Sequence, residues 1–330
     1  MFYFSLIVEY YLKQNDYEKD IKLLVSSYYL SLFYGIIRMV SFNFSIPLKN
    51  IFLMVEKRSS QRLSFSFTEP SFISMHVFGI LLILYLISKN EKNKRNILFL
   101  IILFSFLTII NNSSARFVVD FLVILFIILI FSIFISKSRI FKKAFFVFLL
   151  IFFVGMGMYL INTNPRLNKI VEMGIYADGS LASRWFRVNA SIKGYFKAPL
   201  RVYTGAGLGN AYVFLNLGYN DAFSEYKSSY MVEVYQLYNT THNQFFSMPI
   251  RLISEFGIFI FLLIITYFIY IAKKSNINNK YLILFIFFYL YIQFDSYAFY
   301  TLWLVLFTLK YSDFLKLTIQ KNYKLQNFNK

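Results

Sequence analysis

The chain alternates long apolar runs with short basic links. The runs cover roughly 23–43, 71–88, 97–110, 117–135, 144–162, 248–272, 281–295 and 297–312. A helix that crosses a bilayer needs about 20 mostly apolar residues, so the pattern predicts about eight spans. The runs at 117–135, 144–162 and 256–272 are the clearest, and the run at 97–110 needs its polar neighbours to reach full length. The stretch 281–312 reads as a tight hairpin broken near "QFDSY", or as one span with a re-entrant piece. Glu9 and Lys13 interrupt the first apolar stretch, so no cleavable signal peptide is expected. Residues 1–12 read as the stub of another span, as in a truncated or unusually short protein. The predicted fold is all-α, a polytopic membrane helix bundle with a large, partly helical extracytoplasmic loop. Residues 1–162 form its N-terminal transmembrane bundle of about five spans, 163–247 the loop, and 248–330 the C-terminal spans and a basic cytoplasmic tail.

Composition agrees with that pattern. The chain is 58% hydrophobic and 22% aromatic, too apolar for an ordinary soluble domain of its length. Its formal charge of +18 suggests nucleic acid at first sight, but the lysines concentrate in links between apolar runs. "KNEKNKRN" (89–96), "SKSRIFKK" (136–143), "KKSNINNK" (273–280) and the tail after Lys310 all fall on one side if eight spans hold. The positive-inside rule makes that side cytoplasmic, and no nucleic-acid partner is expected. Residues 44–70 and 163–247 then face outward. There is no Cys, which excludes disulfides and thiolate chemistry.

The outward segment 163–247 carries an uneven charge. Between 163 and 203 seven cations oppose Glu172 and Asp178, whereas from 204 to 247 only Lys227 opposes Asp221, Glu225 and Glu233. The first half suits an anion, or anionic lipid head groups beside a solvated amphipathic helix. Within it, "SLASRWFRVNASIKGY" (180–195) predicts a helix with Arg184, Arg187 and Ser191 on one face and Trp185 to one side. Two guanidiniums so placed form a fork for phosphate oxygens. The alternative is that one of them pairs with Glu172 or Asp178. Downstream, "GAGLG" (205–209) lacks the strand–helix context of a dinucleotide site and reads as a turn closing the loop onto the membrane.

Further chemistry gathers at predicted outer ends of spans. In "THNQFFSMPIRLISEFG" (241–257), Pro249 suits a first helical turn with Ser247 near the cap, placing His242 and Asn243 just before the helix. Arg251 and Glu255 are four apart and can neutralise each other. His242 can take a proton at neutral pH, or simply cap the helix. "RSSQRLSFSFTEPSF" (58–72) places Arg58, Arg62 and Glu69 outside the second span, with Glu69-Pro70 opening a helix. "NNSSARFVVD" (111–120) sets Arg116 and Asp120 four apart. Capping and snorkelling explain either segment alone; the coincidence of four such sites on one membrane face is what suggests a function.

These segments carry a resemblance. "SFTEPSF", "SSARF", "SRWFRVNASI" followed by "GAGLGNAY", and "THNQFFSMPIRLISEFG" resemble, in that order over roughly 60–312, segments of the O-antigen polymerase and O-antigen ligase superfamily. The family usually has ten or more spans. The resemblance implies an inverting, metal-independent glycosyltransferase without cofactor, in the bacterial inner membrane, its active site facing the periplasm or exterior. Its implied partners are an undecaprenyl-pyrophosphate-linked glycan, an acceptor glycolipid, membrane lipid and a chain-length regulator. It implies Arg184 and Arg116 as the first pyrophosphate contacts, Arg187 and Arg251 as the next, and His242 as the group that orients or deprotonates the acceptor hydroxyl. Glu69, facing a half-dry cavity, is a second base; Asn243, Glu255 and Arg62 support the site. "EPSF" favours a polymerase over a ligase that transfers to lipid A core. A glycolipid transporter or flippase is the remaining reading, disfavoured because the two halves show no repeat.

Overall fold

The computed structural model describes residues 17–44, 49–50, 52, 63–67, 69–111, 114–134, 140–163, 165–174, 178–225, 245, 247–294 and 300–312. All regular structure among them is helical. In chain order the helices are α1 (Tyr17–Asn43), α2 (Pro70–Ile87), α3 (Glu91–Ile110), α4 (Ala115–Phe134), α5 (Ile140–Thr163) and α6 (Pro165–Met173). Then follow α7 (Gly179–Lys197), α8 (Pro199–Thr204), α9 (Tyr212–Ser224), α10 (Met248–Lys274), α11 (Lys280–Ile292) and α12 (Tyr300–Lys310).

Among the described residues five helices, α1 to α4 and α10, are long and apolar enough to cross a membrane. The 24-residue α5 covers the predicted span at 144–162. The short run at 97–110 gains its length from Glu91 onward, as its polar flank required. The stretch 281–312 is broken after Ile292, leaving helices of 13 and 11 residues. Within the described residues neither reaches the roughly 20 residues a crossing needs. The described part of 163–247 carries four helices, in keeping with a partly helical segment.

The chain divides into two compact units. The first comprises residues 1–153, 272–286 and 300–330; the second comprises 154–271 and 287–299. In the first unit α1 packs on α3, and its Glu18 carboxylate accepts from Lys89 N (2.7 Å), Asn93 Nδ2 (2.7 Å) and Ser88 Oγ (3.0 Å). This ties the start of α1 to the turn between α2 and α3. Glu69 is extended, Pro70 opens a short 3₁₀ turn, and the helix widens to a π turn over Val77–Leu81. Just before that turn His76 stacks on Phe67 (4.0 Å, 10°), and the Tyr28 hydroxyl meets its Nδ1 at 3.0 Å. Phe78 and Phe117 stack α2 on α4 at 5.3 Å.

In the second unit α7 and α9 form an antiparallel pair at very close range. A side chain at Gly194 would run into the Phe214 carbonyl, and one at Gly218 into the Ala190 carbonyl. The small residues let the backbones touch, and Ala182, Phe186, Ala190, Leu215, Tyr219 and Ala222 close the seam. In the same unit Phe268 of α10 stacks on Phe287 of α11 at 5.1 Å, and Met248 N donates to Phe294 O at 3.0 Å.

Candidate functional site

The arginine-bearing helix α7 starts where Asp178 accepts a hydrogen bond from Leu181 N at 2.8 Å. It carries two adjacent buried stripes. Ala182, Phe186 and Ala190 form the apolar seam against α9. Ser183, Arg187 and Ser191 form a polar stripe, all three buried, with Arg184 half-buried beside it. The predicted face of Arg184, Arg187 and Ser191 is thus present, and Trp185 is exposed to its side. Burying a guanidinium is costly unless other groups meet it, so Arg187 is a built-in part of the module rather than a solvated cation.

The charge asymmetry of the segment has a structural cause. Lys193 pairs with Glu225, which also accepts from Asn189 Nδ2 at 2.9 Å; Lys197 pairs with Asp221 at 2.8 Å. The basic and acidic halves partly neutralise each other across the α7–α9 seam. Lys193 and then Asn189, both donating to the carboxylate, hold Glu225 below its ordinary carboxyl range. Glu172 accepts from Asn168 Nδ2 at 2.8 Å on its own helix.

The glycine segment docks onto a break in α10. Gly257 has φ 83° and ψ 166°, and Gly205 has φ 76° and ψ 175°, a region open essentially to glycine alone. A side chain at either glycine would strike the backbone carbonyl of the opposing segment, Glu255 for Gly205 and Tyr203 for Gly257. The break frees helix carbonyls, and these accept instead from Ala206 N to Ser254 O (2.8 Å) and Gly207 N to Glu255 O (2.9 Å). Tyr195, at the end of α7, donates to Ile250 O (2.9 Å) and meets Ser254 Oγ (2.8 Å). Burial pushes its phenol up to about 12, against the pull of the Ser254 hydrogen bond, so it is a neutral donor at neutral pH. The helix α7, the glycine segment and the first turns of α10 are therefore one module.

In that first part of α10, Pro249 lies within the first turn, as predicted, and Arg251 Nε donates to Glu255 Oε1 at 3.0 Å. Glu255 is 1% exposed and Arg251 26%. His242 and Asn243 lie outside the described residues, as does the Tyr-rich run 226–238. Phe245, three residues beyond His242, is buried in the α7–α9 cluster. In the first unit Arg116 Nε donates to Asp120 Oδ2 at 3.3 Å, with side chains 9% and 0% exposed. Glu69 is exposed and accepts from Ser71 Oγ at 3.1 Å, in place of the half-dry cavity expected for it. Arg58 and Arg62 lie outside the described residues.

Two features escaped the sequence reading. His76, the other histidine, is held between Phe67 and Tyr28 inside α2. An imidazole inside an apolar run was the available signal, because ionisable groups there are expensive and usually partnered. Gly257 was the second: a glycine within a span marks a close backbone approach. No group of three or more metal-ligating side chains occurs among the described residues. Comparison with family models, curated proteins and solved structures finds no match to this chain.

Proposed function

We propose that this chain is a membrane polymerase of lipid-linked oligosaccharide repeat units. It transfers a glycan from undecaprenyl pyrophosphate to an acceptor sugar hydroxyl at the outer face of a bacterial inner membrane. The acceptor oxygen attacks the anomeric carbon, the bond from that carbon to the pyrophosphate oxygen breaks, and the configuration inverts. His242 takes the hydroxyl proton, and Arg184, with Arg187 and Arg251, stabilises the charge that develops on the leaving pyrophosphate.

The observation that supports this reading best lies in the second unit. Arg184 and Arg187 share one face of α7, and Phe245, which closely follows His242, is buried in the cluster of the same helix. Glu255 holds Arg251 in orientation within the same module. A guanidinium fixed before substrate arrives needs no reorganisation as charge builds. The eight-span topology and outward-facing 163–247 segment belong to this proposal. They are supported by five helices of crossing length and by basic links on one predicted side.

The test is a gel of surface polysaccharide from a deletion strain carrying each variant. Arg184→Ala and His242→Ala each abolish the ladder while membrane insertion is retained, and Arg184→Lys fails too, because a point charge does not replace the fork. A normal ladder from both alanine variants rejects the assignment. The lipid-linked pool of the deletion strain separates the two transfer reactions. Single capped repeats mark a lost polymerase; long chains on undecaprenyl pyrophosphate mark a lost ligase.

A further inference from the structure

We infer that residues 196–208 are embedded in the lipid bilayer beside α10, as a re-entrant element and not a water-exposed loop. This does not depend on the reaction proposed above. The first observation is the length of α10. Between Gly257 and Lys273 its uncharged stretch, residues 258–272, has 15 residues. At 1.5 Å per residue that is about 22 Å. A hydrocarbon core is about 30 Å thick, so roughly 8 Å remains to be filled beyond Gly257. The level of Ser254 to Gly257 therefore lies inside the apolar layer.

A broken helix at that depth leaves carbonyls that no water can serve, and such a break survives only where protein satisfies them. Ala206 N and Gly207 N supply the missing donors to Ser254 and Glu255. The glycine segment is thus pinned at the depth of the break. Its flanks are apolar and bare: Phe196 and Leu200 are each 81% exposed and Leu208 is 72% exposed. Large side chains so exposed within one short stretch of chain mark a contact surface. Tyr203 joins this surface to α10, stacking on Phe259 at 5.5 Å, and Phe259 is itself exposed. Lys197, paired with Asp221, and the exposed Arg201 supply cations for the head-group boundary. Bare apolar flanks continuous with a membrane-crossing face fit acyl chains.

The chain has no Cys, so single-cysteine variants report cleanly. Spin labels at Leu200→Cys and Leu208→Cys in lipid nanodiscs are compared with Leu263→Cys on exposed α10 and Asn220→Cys on exposed α9. Collision with oxygen exceeds collision with a water-soluble nickel chelate at 200, 208 and 263, and the order reverses at 220. Nickel access at 200 and 208 equal to that at 220, with 263 still protected, overturns the inference. On the unsubstituted protein in the same nanodiscs, hydroxyl-radical footprinting gives an independent reading. Oxidation of Phe196 and Leu208 is several-fold below that of the less exposed Leu217; equal or higher oxidation also overturns it.

Discussion

Two arginine–carboxylate pairs open two long apolar helices at the same spacing, yet their surroundings differ. In α4 Asp120 is buried at 0% exposure and Arg116 nearly so at 9%; in α10 Glu255 is equally buried but Arg251 keeps 26% of its side chain open. A pair closed on both sides is a structural commitment, because removing one partner strands the other charge in a low-dielectric setting. A pair closed on the carboxylate side only is a holder: the acid fixes a cation that still reaches outward. Under the reading proposed above, Arg251, the more open guanidinium of these two pairs, outranks Arg116 as a pyrophosphate contact.

The contrast can be broken by experiment. Asp120→Ala has the largest effect, costing about 3–5 kcal/mol, read as lost monodisperse yield and a steep fall in melting temperature in detergent. The double change Arg116→Met with Asp120→Leu restores most of that stability, since an apolar replacement of a whole buried pair is near neutral. If it also restores the polysaccharide ladder, Arg116 has no part in the reaction. Glu255→Ala comes next. Arg251 can turn towards water, so stability falls by about 1–2 kcal/mol in the same melt, while the ladder is lost or much shortened. The exposed pair of Lys193 and Glu225 makes the smallest contribution. Its carboxyl is held below the ordinary range, so its stabilisation is present above that range and fades as pH falls through the lowered value. Glu225→Gln removes that acid-side slope from the melting curve and leaves activity at neutral pH unchanged.

Much of the helical pattern was legible because apolar run length is a property of the sequence alone. The helices over 97–110 and 117–135 and the face of Arg184 and Arg187 needed no tertiary information. What was hidden depends on partners distant along the chain. Gly257 looks like any glycine in a span until Tyr203 and Gly205 arrive against it. His76 is concealed within a run whose length already reads as a span; its partner Tyr28 lies 48 residues earlier. Glu69 carried the right turn chemistry, an extended residue before Pro70, but turn chemistry does not reveal exposure. The charge split between 163–203 and 204–247 was visible, whereas the cross-seam pairing that consumes part of it came only from the α7–α9 contact.

The crossing at Gly194 and Gly218 ties two positions into a single evolutionary choice. Each leaves room only for main chain of the opposite helix, so a methyl group gained at one must be answered by a shift of the whole helix. Descendants of this fold either keep both vacancies, 24 positions apart, or abandon them together. That paired signature would pick out distant cousins after the aromatic background has drifted beyond recognition.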